Sequence, residues 1–103
     1  MKMLYVAASA AVLAMIFADT AYARGDAVAG KMKAATICVA CHGTDGNSIN
    51  PLFPKLAGQH ERYLEKSLKA FKSGQRNSPQ CSPMVKSLTE ADIRNLAAWY
   101  ASQ

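Results

Sequence analysis

The chain has 103 residues, half of them hydrophobic, and carries twelve Lys and Arg against seven Asp and Glu, a net charge of +5. That length allows one domain, and neither an internal repeat nor a low-complexity tract divides it. The basic residues are scattered (Lys55, Arg62, Lys66, Lys69, Lys72, Arg76, Lys86, Arg94) with no aromatic-interleaved basic motif, which excludes nucleic-acid binding and leaves acidic proteins or surfaces as the partners the charge favours.

The N-terminus reads as an export signal. Met1-Lys2 gives a short positive start, Leu4 to Ala18 is a largely apolar run, and Ala21-Tyr22-Ala23 has the small-x-small pattern of a signal-peptidase site. A membrane anchor is the competing reading, but fifteen helical residues reach only about 22 Å, short of the roughly 30 Å hydrocarbon core. The expectation is a cleaved signal peptide, residues 1–23, with no membrane span after cleavage. Its loss removes Lys2 and Asp19, one charge of each sign, so the mature chain stays at +5. The 80 residues from Arg24 to Gln103 are few for an apolar core to stabilise alone, and a metal, disulfides or a cofactor is expected to complete it.

Three helices are predicted in the mature chain. Asp26 can cap the first, which runs to about Ile37 with apolar residues on several faces. It leads directly into Cys38-Val-Ala-Cys41-His42. Residues 43–59 hold three Gly, two Pro and two Asn and read as turns and irregular chain. From His60 to Ser73 the spacing of Leu64, Leu68 and Phe71 gives an amphipathic helix, with Gly74 placed to end it and Glu65 and Lys69 paired on its polar face. The last helix has the clearest start. Thr89 is a good N-cap, Asp92 stands at the reciprocal capping position, and Leu88 with Ile93 forms a hydrophobic staple. No alternating run of β-branched and aromatic residues is long enough for a sheet, so the fold class is all-α.

Chemistry concentrates in Cys38-x-x-Cys41-His42, the signature of covalent c-type haem attachment. Two thiols can add across the haem vinyl groups while the adjacent imidazole reaches the iron from the same side. A dithiol redox pair would need a βαβ setting that the pattern lacks, and a zinc site would need a fourth ligand such as His60 or Cys81. Export, helical pattern and small core all favour one haem c, bound through Cys38 and Cys41 with His42 as proximal ligand.

The segments "CVACHGTDGNS", "FPKLAGQHERYLEKSLKAFKSGQR" and "LTEADIRNLAAWYASQ" cover most of Arg24 to Gln103. Through them the chain resembles the class I c-type cytochromes, and in particular the small bacterial periplasmic monohaem type that also forms the halves of dihaem cytochromes. The resemblance implies one cytochrome c domain over residues 24–103, with the N- and C-terminal helices crossing near the haem edge. Gly30 fits the small residue at that crossing, and Leu96 and Trp99 fit the facing positions. Pro54 resembles the proline whose carbonyl orients the proximal imidazole. Asn47, Tyr63 and Arg76 match positions near the haem or its propionates, where ordinary loop or packing duty is the alternative.

The sixth ligand departs from the family. In related segments the ligand Met stands about eight residues ahead of the Ser or Thr that opens the last helix, giving a His/Met site of raised potential. Eight residues ahead of Thr89 stands Cys81, and Met84 stands five ahead. Cys81 is therefore the expected distal ligand. Met84 is the alternative, and an open site or His60, a residue better suited to solvent or a cap, is the third. The expected function is one-electron transfer, at low potential if a thiolate binds the iron, with an acidic redox partner and association with another small cytochrome. The alternatives are a haem module that binds CO or NO and a haem subunit of a sulfur- or nitrogen-metabolising complex. No triad, paired carboxylates or phosphate loop points to an independent enzyme.

Overall fold

The computed structural model describes residues 24–103. The signal sequence inferred for residues 1–23 lies outside the described residues. Five helices follow one another: α1 (Ala27–Ile37), α2 (Val39–His42), α3 (Glu61–Ser73), α4 (Cys81–Val85) and α5 (Glu90–Ala101). No strand occurs among the described residues, in keeping with the all-α expectation.

The Asp26 side chain accepts hydrogen bonds from the Val28 and Ala29 amides at 2.9 and 3.2 Å, pairing two of the N–H groups that the start of α1 would otherwise leave free. The Asp26 amide in turn donates to Asn95 Oδ1 at 2.8 Å, which ties the start of α1 to the middle of α5. Within α1 only Gly30 and Ala34 are buried, so its apolar residues do not form one inward stripe. The crossing depends on glycine. A Cβ built on Gly30 would lie 1.9 Å from Asn95 O and 3.0 Å from Trp99 Cβ, and one on Gly25 would lie 2.0 Å from Arg94 O. Backbone therefore packs on backbone at this contact, and the facing positions include Asn95 as well as Trp99.

Thr89 and Asp92 form the reciprocal capping box: the Asp92 amide donates to Thr89 Oγ1 at 3.1 Å and the Thr89 amide to Asp92 Oδ2 at 3.0 Å. The staple residues Leu88 and Ile93 are both buried. Helix α3 ends at Gly74, whose φ of 87° lies in the left-handed region where a side chain would be strained. Lys69 joins the helices electrostatically, pairing with Glu65 at 3.0 Å along α3 and with Glu90 at 3.4 Å at the start of α5. Lys33 of α1 reaches Asp92 at 3.7 Å.

These contacts surround a small core of Ala34, Leu64, Val85, Leu88, Ile93, Leu96, Ala97 and Tyr100. Ile37, Cys38, Leu56, Leu68, Phe71, Cys81 and Trp99 pack against it while staying partly accessible. Two elements go beyond the three predicted helices. The segment Val39–His42 is helical, and Cys81–Val85 forms a short helix inside what reads as loop. The latter is started by Ser78, whose hydroxyl accepts from the Cys81 amide at 3.1 Å and whose amide donates to Ser82 Oγ at 2.9 Å. Pro83 falls in the first turn, where a missing N–H costs no intrahelical bond.

Candidate haem site

The site begins where α1 hands over to α2. The Cys38 amide still bonds Ala34 O at 2.9 Å, and the Cys41 and His42 amides bond back to Cys38 O at 3.2 and 3.0 Å. One tight turn thus carries both thiols and the imidazole. All three cysteines of the chain are free and half-buried.

The loop that follows orients His42. Its Nδ1 lies 2.8 Å from Pro54 O. A carbonyl can only accept, so Nδ1 carries the proton and Nε2 keeps the lone pair that a metal needs. Pro54 is held by chain that Ser48 organises: the Ser48 amide donates to His42 O at 2.9 Å, and its hydroxyl reaches Asn50 O and Phe53 O, each at 2.9 Å. Ser48 adopts φ 54°, the single left-handed non-glycine residue described. Sequence reasoning missed it, because a lone serine in a loop carries no signal of such a role. Nearby, Gly46 O accepts from the Leu56 and Ala57 amides at 2.8 and 3.1 Å, and Gly58 N donates to Tyr100 O at 2.9 Å, so the loop closes onto the end of α5.

Across the core, Cys81 opens α4 with its side chain against the cluster that also contacts Cys38. Burial pushes the Cys81 thiol above its ordinary pKa, opposed by the nearby Arg76 guanidinium and reinforced by Cys41. Burial likewise raises Cys38, with Tyr100 as the opposing influence and smaller contributions from Cys81 and Cys41. Cys38 and Cys81 thus both pack against one core. Met84, three residues after Cys81, is 52% exposed. The other predicted positions divide. Arg76 stacks over the Phe71 ring, 4.5 Å from its centroid, donates to Ser67 Oγ at 3.2 Å, and acts on Cys81. Tyr63 is half-exposed on α3, and Asn47 is an exposed loop residue whose amide donates to Asp45 Oδ1 at 2.9 Å. His60 is exposed at the N-cap of α3, without a side-chain capping bond. A shallow cleft lined by Arg24, His60, Glu61 and Arg62 includes none of the sulfur donors.

The donor set fits covalently attached haem. Two thiols stand on one turn, an imidazole beside them presents a free Nε2, and the Tyr100 hydroxyl, buried in the core against which Cys38 packs, has no hydrogen-bond partner. No group of three or more His, Cys, Asp and Glu side chains among the described residues is arranged to hold a metal ion by itself, as a zinc site would require. When bound, haem supplies an iron that accepts and releases a single electron.

Comparison with known proteins agrees. The family model for cytochrome c matches residues 27–103. Cytochrome c-554(548) of Halomonas halodenitrificans is 50% identical over 82 residues, covering 77% of this chain and 98% of that protein. Cytochrome c4 of Pseudomonas aeruginosa is 51% identical over 83 residues, 81% of this chain but 41% of the longer protein. The crystal structure of reduced recombinant cytochrome c4 from Pseudomonas stutzeri superposes with a TM-score of 0.72 at 45% identity, over 77% of this chain and 46% of that one. A more distant relative, the thiosulfate dehydrogenase electron acceptor of Thiomonas intermedia, is 42% identical over 69 residues, 65% of this chain and 31% of that protein. The chain belongs to the cytochrome c family, as a helical electron-transfer domain carrying haem c covalently through Cys38 and Cys41.

Proposed function

We propose that residues 24–103 form an exported monohaem cytochrome whose iron is held by His42 on one side and Cys81 on the other, and which carries single electrons at lower potential than a His/Met site. The observation that carries this reading is the contrast within α4: Cys81 turns toward the core that Cys38 contacts, while Met84 stands half in solvent. A thiolate is an anionic donor and favours ferric iron, which lowers the potential relative to a neutral thioether. Burial holds the free Cys81 thiol above its ordinary pKa with Arg76 opposing it, and coordination to iron would be what deprotonates it. Pro54 serves as the positioning residue for His42, and Arg76, Asn47 and Tyr63 belong to the surroundings of the haem and its propionates.

The periplasm, or an equivalent exported compartment, follows from the leader pattern of residues 1–23 and from the haem attachment motif. With a net charge of +5, the protein docks an acidic redox partner, and a second small cytochrome is one such partner. Potentiometric titration of the purified holoprotein tests the reading. The expected midpoint lies well below that of His/Met cytochromes measured alongside, and a midpoint in their range would sink the thiolate proposal.

A second reading has its own support. The Thiomonas relative is named as a thiosulfate dehydrogenase electron acceptor, and a His/Cys haem in this chain suits either a sulfur-metabolising complex or the binding of CO or NO in place of the Cys81 bond. CO added to the reduced protein tests the gas-binding alternative: a new CO spectrum with loss of the distal ligand favours it, and an unchanged spectrum counts against it.

A further inference from the structure

Tyr100 is 3% exposed, yet its buried hydroxyl has no hydrogen-bond partner. Leaving such a group unpaired costs about 1–3 kcal/mol, and buried polar groups are as a rule satisfied. The ring cannot swing away to find water. A Cβ at Gly46 would come within 2.6 Å of Tyr100 Cδ1 and 2.8 Å of Cε1, so the loop backbone closes one side of the ring, and Gly58 N ties the Tyr100 carbonyl at 2.9 Å.

The Cys38 thiol packs against the core that Tyr100 helps to form. Hydroxyl and thiol each perturb the ionisation of the other, although no well-formed hydrogen bond joins them. Haem attachment changes what Cys38 can do. A thiol is a weak donor and a weak acceptor, and a thioether has no hydrogen and can only accept. Beside it, the Tyr100 O–H has one role left, that of donor.

We propose that Tyr100 is a positioning residue for the haem, its hydroxyl donating a hydrogen bond to the Cys38 sulfur once that sulfur is a thioether. The bond fixes the orientation of the Cys38 attachment and holds the positive end of the O–H dipole against it. A dipole in that sense favours the reduced, less positive state of the site, so Tyr100 raises the potential whichever residue is the sixth ligand.

Proton NMR of the reduced holoprotein is the direct test. The expected result is a slowly exchanging Tyr100 hydroxyl proton with a cross-peak to the Cys38 β-protons. A hydroxyl proton that exchanges at the solvent rate, or that shows its cross-peaks to another group, overturns the proposal. Tyr100→Phe, which keeps the ring, is the companion experiment: its redox equilibrium against a reference dye shifts about two- to tenfold toward the oxidised form, the range of one hydrogen bond. Unchanged potential together with equal or greater thermal stability, the outcome of deleting a truly orphaned hydroxyl, contradicts it. The NMR measurement uses the unaltered protein and decides the question even if the variant retains haem poorly.

Discussion

Gly30→Ala asks whether the α1–α5 crossing is set by backbone contact. In an unconstrained helix interior the substitution is favourable by about 1 kcal/mol, because alanine loses less backbone freedom on folding. Here the added methyl would sit 1.9 Å from Asn95 O and 2.5 Å from its carbonyl carbon, both backbone atoms that no side-chain rotation can move. The helices must separate by more than an ångström, opening the contact that also holds Trp99 and the Asp26–Asn95 hydrogen bond at 2.8 Å. Overpacking of this kind costs about 3 kcal/mol at the upper end of its usual range, leaving a net loss of about 2 kcal/mol after the gain in helix propensity. For a domain of this size that lowers Tm by roughly 8–16 °C. Thermal unfolding of the ferric holoprotein, followed by far-UV circular dichroism with the Soret band as a check on haem content, measures it. A Tm equal to or above that of the wild type would refute the reasoning, because it is what a merely tolerated glycine predicts.

Thr89→Ala removes the side chain that accepts from the Asp92 amide at the start of α5 and lowers stability by about 1 kcal/mol, read from denaturant midpoints. The same box gives a pH dependence. Its hydrogen bond from the Thr89 amide is the leading cause holding the Asp92 carboxyl below the usual carboxylate range. Its contribution is therefore complete above the unfolded carboxylate pKa and fades as pH falls through the lower folded value; Asp92→Asn flattens the acid limb of a stability-against-pH profile, and an unaltered limb contradicts this. Ser48→Ala removes the hydroxyl bonds to the Asn50 and Phe53 carbonyls, costs about 1 kcal/mol, and broadens the ferric EPR signal through a less uniform His42 orientation. Electron exchange with an acidic partner slows as ionic strength rises, and a rate indifferent to salt would remove the docking role given to the basic surface.

The sequence disclosed the frame of this protein because its signals are local. A cap three residues ahead of its partner, a staple at Leu88 and Ile93, an αL glycine after α3 and a Cys-x-x-Cys-His turn all act within a few residues, and each is found in the structure. What stayed hidden depends on distant chain. Helix α1 looks apolar on several faces, and only the approach of Asn95 and Trp99 selects the side bearing Gly30 and Ala34. Helix α4 is too short for periodicity to reveal, and its Ser78 start lacks the apolar run that usually announces a helix. The conformation of Ser48 rests on its bonds to His42, Asn50 and Phe53, and the unpaired Tyr100 hydroxyl on the burial of α5 in the core, neither of which a spacing rule describes.

The identity of the distal ligand is the central claim, and low-temperature EPR of the ferric holoprotein beside its Cys81→Ala and Met84→Ala variants tests it most directly. The account predicts a low-spin thiolate-type signal in the wild type, retained in Met84→Ala and lost in Cys81→Ala. A signal that changes in Met84→Ala and survives in Cys81→Ala would contradict it and return the site to His/Met ligation.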